Sequence, residues 1–244
     1  MCIQTLPKHE NIIYTHELFV ENGYLHICME YMQSNLLRFI SASNCLDGVL
    51  VKSILFQGIQ GLEHIHAHHF IHCDIKPENI LISPCRDMQT YVVKIADFGE
   101  ARKVKKHSNS TYFGTRWYRA PELLLGQTFS TGVDIWAVGA IAAELVTGKP
   151  LFPGESEVDQ LSEICNIIGS PGYKHSGGPW QEAAKGLGFS FPNTNPRSLD
   201  KILQASLSQL VSWCLKWDPK SRPTSTQALN HEYFADIDQE LVCE

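Results

Sequence analysis

The stretch HCDIKPEN, residues 72–79, is the part of the sequence that decides the fold. It brings a carboxylate, a lysine and an amide into one short segment interrupted by a proline. Two further motifs follow in order, Asp-Phe-Gly at residues 97–99 and Ala-Pro-Glu at residues 120–122. Each motif alone could be a set of turn residues, because Asp, Asn and Gly favour turns. The ordered set of three motifs needs a common explanation.

The composition is that of an ordinary folded protein of 244 residues, 43% of them hydrophobic and 19% charged. A net charge of −6 predicts no broad contact with nucleic acid or an anionic membrane. The most apolar stretch, Val133–Val146, contains two carboxylates and is too short to span a bilayer, so it is predicted to be a buried helix. Eight cysteines without a C-x-x-C pair, in a chain without a secretory leader, predict reduced thiols and a cytoplasmic or nuclear location.

The hydrophobic pattern divides the chain into a small β-containing part and a larger helical part, which is an α+β arrangement. Two β-rich runs, Ile12–Val20 and Leu25–Tyr31, flank an Asn-Gly pair that predicts a hairpin. Residues 1–10 are predicted to be the end of a helix that leads into a turn at Lys8–Asn11, and helical patterns begin at Leu36. Further helices are predicted at Val51–His66 and at about residues 133–147, 156–168, 206–217 and 224–231, with short apolar runs at 80–82 and 91–95.

The three motifs, in this order and spacing, resemble those of the protein kinase family. Three further segments, residues 115–122, 133–139 and 150–154, resemble the CMGC group of cyclin-dependent and mitogen-activated kinases. Segments 156–160, 164–165 and 189–192 look most like the male-germ-cell-associated and meiosis-inducing subfamily. The resemblance implies a protein-kinase-like fold, with a partial N-lobe at 1–32, a helical C-lobe at 33–234 and a tail at 235–244. It also implies a serine/threonine kinase that uses ATP and Mg²⁺ and acts on protein Ser or Thr, often followed by Pro.

The resemblance assigns roles residue by residue. Asp74 would orient the attacking hydroxyl, and Lys76 would reach the γ-phosphate. Asn79 and Asp97 carry oxygens suited to Mg²⁺. The adenine site would be formed by the gatekeeper position, the hinge, the pocket floor and the residue before Asp97, which are Met29, Glu30, Met32, Leu81 and Ala96. Ordinary core packing is the alternative for Met29 and Leu81.

Three other residues match structural positions of the family. Asp134 would brace the catalytic loop, and Glu122 and Arg222 would form a buried ion pair. Five histidines between His64 and His72 suggest a metal site. The alternative is that they lie near a helix end, where histidine interacts favourably with the helix dipole.

The activation segment departs from the family pattern. Ser110, Thr111 and Tyr112 stand where related kinases carry phosphorylation sites for an upstream activating kinase, although an unmodified polar loop is the alternative. Cys73 replaces the usual arginine, and a thiol cannot hold a phosphate by a bidentate fork. We therefore expect activity to depend weakly on loop phosphorylation. The thiol itself is either reactive or buried and inert.

The N-terminal part departs further, because no G-x-G-x-x-G loop and no V-A-I-K-like lysine occurs in the chain. We expect an N-terminally truncated kinase of low activity, in which the hairpin exposes apolar residues. The alternative functions are a catalytically defective pseudokinase or fragment acting as a protein-binding module, and a small-molecule phosphotransferase. Residues 117–122 argue against the last, because they resemble a platform for protein substrates.

Overall fold

The computed structural model describes residues 5–43, 46–85, 90–104, 116–171 and 178–237. The strands of this part of the chain are β1 (Thr15–Glu21), β2 (Tyr24–Met29), β3 (Ser34–Asn35), β4 (Phe70–Ile71), β5 (Ile80–Pro84), β6 (Tyr91–Ile95) and β7 (Arg102–Lys103). Its α-helices are α1 (Leu36–Ala42), α2 (Gly48–Ala67), α3 (Pro121–Leu124), α4 (Gly132–Thr147), α5 (Glu157–Ile168), α6 (Gly178–Ala184), α7 (Ala205–Cys214) and α8 (Ser225–Leu229).

The predicted hairpin is confirmed as the antiparallel pair β1–β2, in which Glu21 faces Tyr24. Its two turn residues, Asn22 and Gly23, have φ angles of 52° and 80°, as a type I′ turn requires. Within the described residues this sheet has only two strands, so each strand has one edge that no other described strand pairs with. The exposed fraction reaches 71% for Val20 and 73% for Tyr24, which agrees with the expected exposure of the hairpin.

A second sheet, in the order β3–β5–β6, places two of the sequence motifs side by side. Ile80 pairs with Ile95 at the end of the β5–β6 ladder. The backbone N–H of Ala96 donates to the carbonyl of Asn79 at 2.9 Å. The residues that follow β6 are thereby fixed beside those that precede β5.

The helical part is built around α4, which is buried over almost its whole length. A helix that is apolar all round belongs in a core, so the prediction of a buried helix at 133–146 is confirmed. Helix α2 packs on α4 with one apolar stripe that includes Ile54, Ile59 and Leu62. No helix in the described ranges combines the length and the apolar character that crossing a membrane requires.

A buried polar network holds the segment that precedes the hairpin against α2 and β6. The Asn11 side chain donates to Gln57 Oε1 at 3.2 Å and to the carbonyl of Val93 at 3.0 Å. Gln57 in turn accepts the N–H of Val93 at 2.9 Å and donates to the carbonyl of Tyr91 at 2.8 Å. Asn11 and Gln57 are 2% and 0% exposed, so each hydrogen bond is shielded from water.

Several expectations need correction. Residues 5–10 are not helical, contrary to the predicted helix end, and residues 1–4 lie outside the described residues. Helix α7 ends at Cys214 and α8 at Leu229, earlier than predicted, because a capped turn at Asp218 and a loop at Asn230 follow them. Among the described cysteines, four are free, but Cys85 is disulfide-bonded, so the expectation of reduced thiols is wrong for that residue.

Candidate active site

The loop between β4 and β5 draws three predicted catalytic residues into direct contact. Lys76 Nζ donates to Asp74 Oδ2 at 2.8 Å. Asn79 Nδ2 donates to the same carboxylate oxygen and to the carbonyl of Asp74, each at 2.9 Å. A short 3-10 helix, Pro77–Asn79, turns the chain back so that Asn79 can reach Asp74. The side chains of Asp74 and Lys76 remain 12% and 18% exposed, so a ligand can approach them.

Asp134 on α4 holds the start of this loop. Its carboxylate accepts the backbone N–H groups of His72 and Cys73, both at 2.9 Å. Cys73 has a φ angle of 67°, a left-handed conformation that is unfavourable for a residue with a side chain. The predicted bracing role of Asp134 is visible here as two charge-assisted hydrogen bonds that hold this conformation.

His66, on α2, is a third donor to Asp134 that the sequence did not single out. Its Nε2 lies 2.8 Å from Asp134 Oδ2, and its Nδ1 lies 3.3 Å from the hydroxyl of Ser225. The histidine run was interpreted as a metal site or as residues near a helix end; His66 does lie in the last turn of α2, but its contacts with Asp134 and Ser225 were not foreseen. The described residues contain no group of three His, Cys, Asp or Glu side chains placed to hold a metal ion.

The Asp-Phe-Gly motif lies beside this loop. Asp97 has a φ angle of 62°, and its carboxylate accepts the N–H of Gly99 at 3.2 Å. Phe98 packs edge-on against the ring of His72, with 5.0 Å between the centroids. Burial lowers the pKa of His72 below its ordinary value, although Asp134 opposes the shift. A neutral His72 hydrogen-bonds the carbonyl of Ala96 at 3.0 Å and so links the two motifs. No hydrogen bond joins the Asp97 side chain to Asp74 or Asn79.

The residues predicted to contact adenine lie on and after β2, on β5 and directly after β6. Glu30 donates its backbone N–H to the carbonyl of Tyr14 at 3.0 Å. Its carboxylate accepts the N–H of Tyr14 at 2.7 Å and pairs with Lys94 at 2.8 Å. Leu81, Ala96 and Met32 belong to the core or pack against it, whereas Met29 is 46% exposed. Core packing therefore accounts for Leu81 but not for Met29.

The segment that ends at Glu122 is anchored to the helical part from two sides. Arg222 donates to both oxygens of Glu122, at 2.7 and 2.8 Å, and neither side chain is more than 1% exposed. Tyr118 donates its hydroxyl to Glu144 on α4 at 2.7 Å. Burial and this contact raise the pKa of Tyr118, and burial also raises the pKa of Glu144. The predicted ion pair is present in the structure, but the Tyr118–Glu144 pair was not foreseen.

With this geometry in place, comparison with known proteins gives the family. A family model described as the protein kinase domain matches residues 1–234. The chain belongs to the protein kinase family. Its similarity to the CMGC group and to the male-germ-cell-associated and meiosis-inducing subfamily, and its α+β fold, are confirmed.

The relatives of this kinase chain are longer than it is. It is 44% identical over 241 residues to serine/threonine-protein kinase MAK of Rattus norvegicus. The aligned residues cover 95% of this chain and 38% of the relative. It is 42% identical over 241 residues to serine/threonine-protein kinase ICK of Mus musculus, covering 95% and 37%. The meiosis induction protein kinase IME2/SME1 of Saccharomyces cerevisiae is 37% identical over 270 residues, covering 95% and 42%. The chain thus spans less than half the length of these curated relatives.

The kinase departs from the usual pattern around Cys73. The thiol is partly buried and lies 3.7 Å from the carbonyl of Ile71, and burial together with Asp134 raises its pKa. Glu100, whose effect the sequence left open, pairs with Arg102 at 3.4 Å. The inert interpretation of Cys73 therefore agrees with the structure. Ser110, Thr111 and Tyr112 lie outside the described residues.

Proposed function

We propose that this chain carries the phosphate-transfer residues of a serine/threonine protein kinase that transfers the γ-phosphoryl group of ATP to a protein hydroxyl. The observation that carries the proposal is the contact between Asp74, Lys76 and Asn79. Phosphoryl transfer needs in-line positioning and charge stabilisation more than covalent help. A carboxylate next to a cation supplies an acceptor for the substrate hydroxyl and a positive charge for the phosphate in one place.

Asn79 and Asp97 fit the magnesium that the family uses. The Asn79 amide nitrogen faces Asp74, so its oxygen is turned away from that residue. Asp97 is exposed, and among the described residues the one hydrogen bond to its carboxylate comes from the N–H of Gly99. One amide oxygen and one carboxylate suit Mg²⁺, which binds few protein ligands and completes its shell with water and phosphate oxygens. When bound, the ion would neutralise the charge on the phosphates.

The hinge supports an adenine site. The Glu30 N–H is occupied by Tyr14, so of its two backbone groups the carbonyl remains to accept a hydrogen bond from a base. Leu81 is half-buried on β5 directly opposite Lys94, which pairs with Glu30. The floor of the pocket and the hinge are therefore tied to each other. We assign Met29, Glu30, Met32, Leu81, Ala96 and Asp97 to the nucleotide site.

The proposed protein substrate is a Ser or Thr followed by Pro, docked against residues 117–122. This proposal is supported by the match of that segment to the CMGC group and by its firm anchoring through Glu122 and Arg222. We also propose that an upstream kinase phosphorylates Ser110, Thr111 or Tyr112. Because the thiol of Cys73 cannot bind a phosphate as an arginine does, the combined variant Ser110→Ala, Thr111→Ala, Tyr112→Phe should lower activity only modestly.

The test separates nucleotide binding from turnover. The purified chain should bind a fluorescent ATP analogue in the presence of Mg²⁺, and Asp97→Asn should weaken this binding about tenfold or more through loss of the ligand charge. Asp200→Asn, at an exposed position outside the site, is the matched control. Equal binding by both variants would refute the metal assignment.

A protein-binding module is the second candidate, favoured by the open hairpin and by the lack of a Gly-rich loop within these 244 residues. Without that loop, water enters the phosphate site and weakens electrostatic stabilisation. We expect this chain alone to phosphorylate a Ser-Pro peptide very slowly. Fast, Mg²⁺-dependent phosphorylation would exclude the binding module as its sole function.

A further inference from the structure

A closed ring of three hydrogen bonds joins residues 117–122, the segment proposed to dock the protein substrate, to α5. The indole N–H of Trp117 donates to the carbonyl of Gly154 at 3.2 Å. The N–H of Gly154 donates to Gln160 Oε1 at 3.2 Å. Gln160 Nε2 donates back to the carbonyl of Trp117 at 3.4 Å. Gln160 is 0% exposed, so its amide has no water to replace these partners.

The ring depends on a close approach that only glycine permits. A Cβ atom on Gly154 would lie 2.5 Å from the Gln160 Cα and 2.6 Å from its Oε1. Contacts of that length are not tolerated between carbon atoms, so a side chain at 154 would push the Gln160 amide away. The hydroxyl of Ser156 caps α5 by accepting the N–H of Asp159, which fixes the helix that carries Gln160.

Two helices therefore hold two consecutive residues of the segment. Trp117 is bound to α5 through Gln160, and Tyr118 is bound to α4 through Glu144. The far end is fixed by Glu122 and Arg222. None of these contacts involves a residue of the proposed nucleotide site. Loss of the ring therefore removes no hydrogen bond of a residue assigned to the nucleotide site.

We propose that Gln160 is a positioning residue that holds Trp117–Glu122 in the geometry that receives a protein substrate. Loss of its amide weakens the affinity for the substrate peptide and leaves nucleotide affinity unchanged. The inference rests on the proposed function, because it assumes that this segment docks the peptide. If Gln160 served only the core, its replacement would lower stability and affect peptide and nucleotide affinity alike.

Two variants of the full 244-residue chain remove the ring in steps. Gln160→Met keeps the length of the side chain and removes both hydrogen bonds. Gln160→Glu keeps an acceptor for the Gly154 N–H and removes the donor to Trp117. The matched control is Gln181→Met, because the Gln181 amide also bridges two backbone groups, at 3.3 Å to the carbonyl of Phe189 and 3.0 Å to the N–H of Phe191.

Peptide affinity is measured by fluorescence anisotropy of a labelled Ser-Pro peptide, and nucleotide affinity with a fluorescent ATP analogue and Mg²⁺. We expect a loss of about tenfold in peptide affinity for Gln160→Met, since two modest hydrogen bonds are removed. A loss at least as large is expected for Gln160→Glu, because its buried carboxylate would face the Trp117 carbonyl, and none is expected for Gln181→Met. Nucleotide affinity should stay within about twofold for all three. Amide hydrogen exchange at residues 117–122 should quicken in the two Gln160 variants only.

Unchanged peptide affinity in a folded Gln160 variant, an equal loss of nucleotide affinity, or the same loss in Gln181→Met would each overturn the proposal. If Gln160→Met does not fold, Gln160→Glu is judged by the same criteria. A wild-type chain that binds no peptide would overturn the proposed substrate and not the positioning. Exchange at residues 117–122 then decides the proposal, and unchanged exchange in the variants would refute it.

Discussion

The buried pair between Glu122 and Arg222 gives the sharpest prediction of stability. Arg222 donates to both carboxylate oxygens and also to the backbone carbonyls of Gly132, Lys216 and Trp217. The two side chains are 1% and 0% exposed. Removing one partner of such a pair leaves a buried charge without compensation, which costs about 3–5 kcal/mol.

The perturbation is a double-mutant cycle of Arg222→Met, Glu122→Gln and the combination. Arg222→Met should lower the free energy of unfolding by about 4 kcal/mol, because it leaves the Glu122 carboxylate and three backbone carbonyls without their hydrogen-bond donor. Glu122→Gln should lower it by about 3 kcal/mol, because the guanidinium keeps its carbonyl acceptors but loses its counter-charge. The double variant should lose about 4–5 kcal/mol, since the second change removes a partner that is already alone.

Urea unfolding followed by tryptophan fluorescence measures these differences, and thermal unfolding should show Arg222→Met shifted by about 8–16 °C. Lys185→Met is the control, because Lys185 pairs with Glu182 at the surface with side chains 64% and 74% exposed, and exposed pairs contribute little. Additivity of the two single changes to within about 0.5 kcal/mol would refute the reasoning. A loss below about 1 kcal/mol for Arg222→Met would do the same.

Three further predictions concern a thiol, a titration and a surface. The raised pKa of Cys73 should make its alkylation by iodoacetamide at pH 8 at least about tenfold slower than that of the exposed Cys28, and equal rates by mass spectrometry would contradict the burial argument. Because the folded pKa of His72 is lowered, the unfolded chain binds more protons below about pH 6.5, so stability should fall as the pH decreases from 7 to 5. His72→Asn should flatten that dependence in urea titrations, and an unchanged slope would count against it. Leu25→Lys, at a 55% exposed position of the hairpin, should reduce light scattering on concentration, and no reduction would show that the hairpin does not drive aggregation.

The sequence predicts best those features that are encoded locally. The turn at Asn22-Gly23 follows from two residues that tolerate positive φ angles. The family resemblance singled out Asp74, Lys76 and Asn79 within one short loop, but their contact depends on the short 3-10 helix, which spacing alone does not predict. The burial of helix α4 could be predicted because the helix is apolar on every face.

The family resemblance supplied the Glu122–Arg222 pair and the bracing role of Asp134, but other contacts across long sequence separations were not predicted. His66 and Asp134 are 68 positions apart, and Gln160 and Trp117 are 43 apart. A buried glutamine or a histidine near a helix end has no pattern in the sequence that distinguishes it from a surface residue. Packing of α2, α4 and α5 decides which polar side chains meet, and hydrophobic periodicity specifies that packing only as apolar faces.

The catalytic residues and the hinge are held in place by different parts of the molecule. Cys73 and Asp97 both have left-handed backbone conformations, and each lies next to a residue fixed by the helical part or by the β5–β6 sheet. Such conformations persist only where the surroundings determine them fully. The residues proposed to orient the hydroxyl and to hold the metal are thus positioned without the hairpin. The hinge differs, because Glu30 follows the open hairpin and depends on Tyr14 and Lys94 for its position. Changes in the hairpin should therefore alter nucleotide affinity before they disturb the catalytic loop.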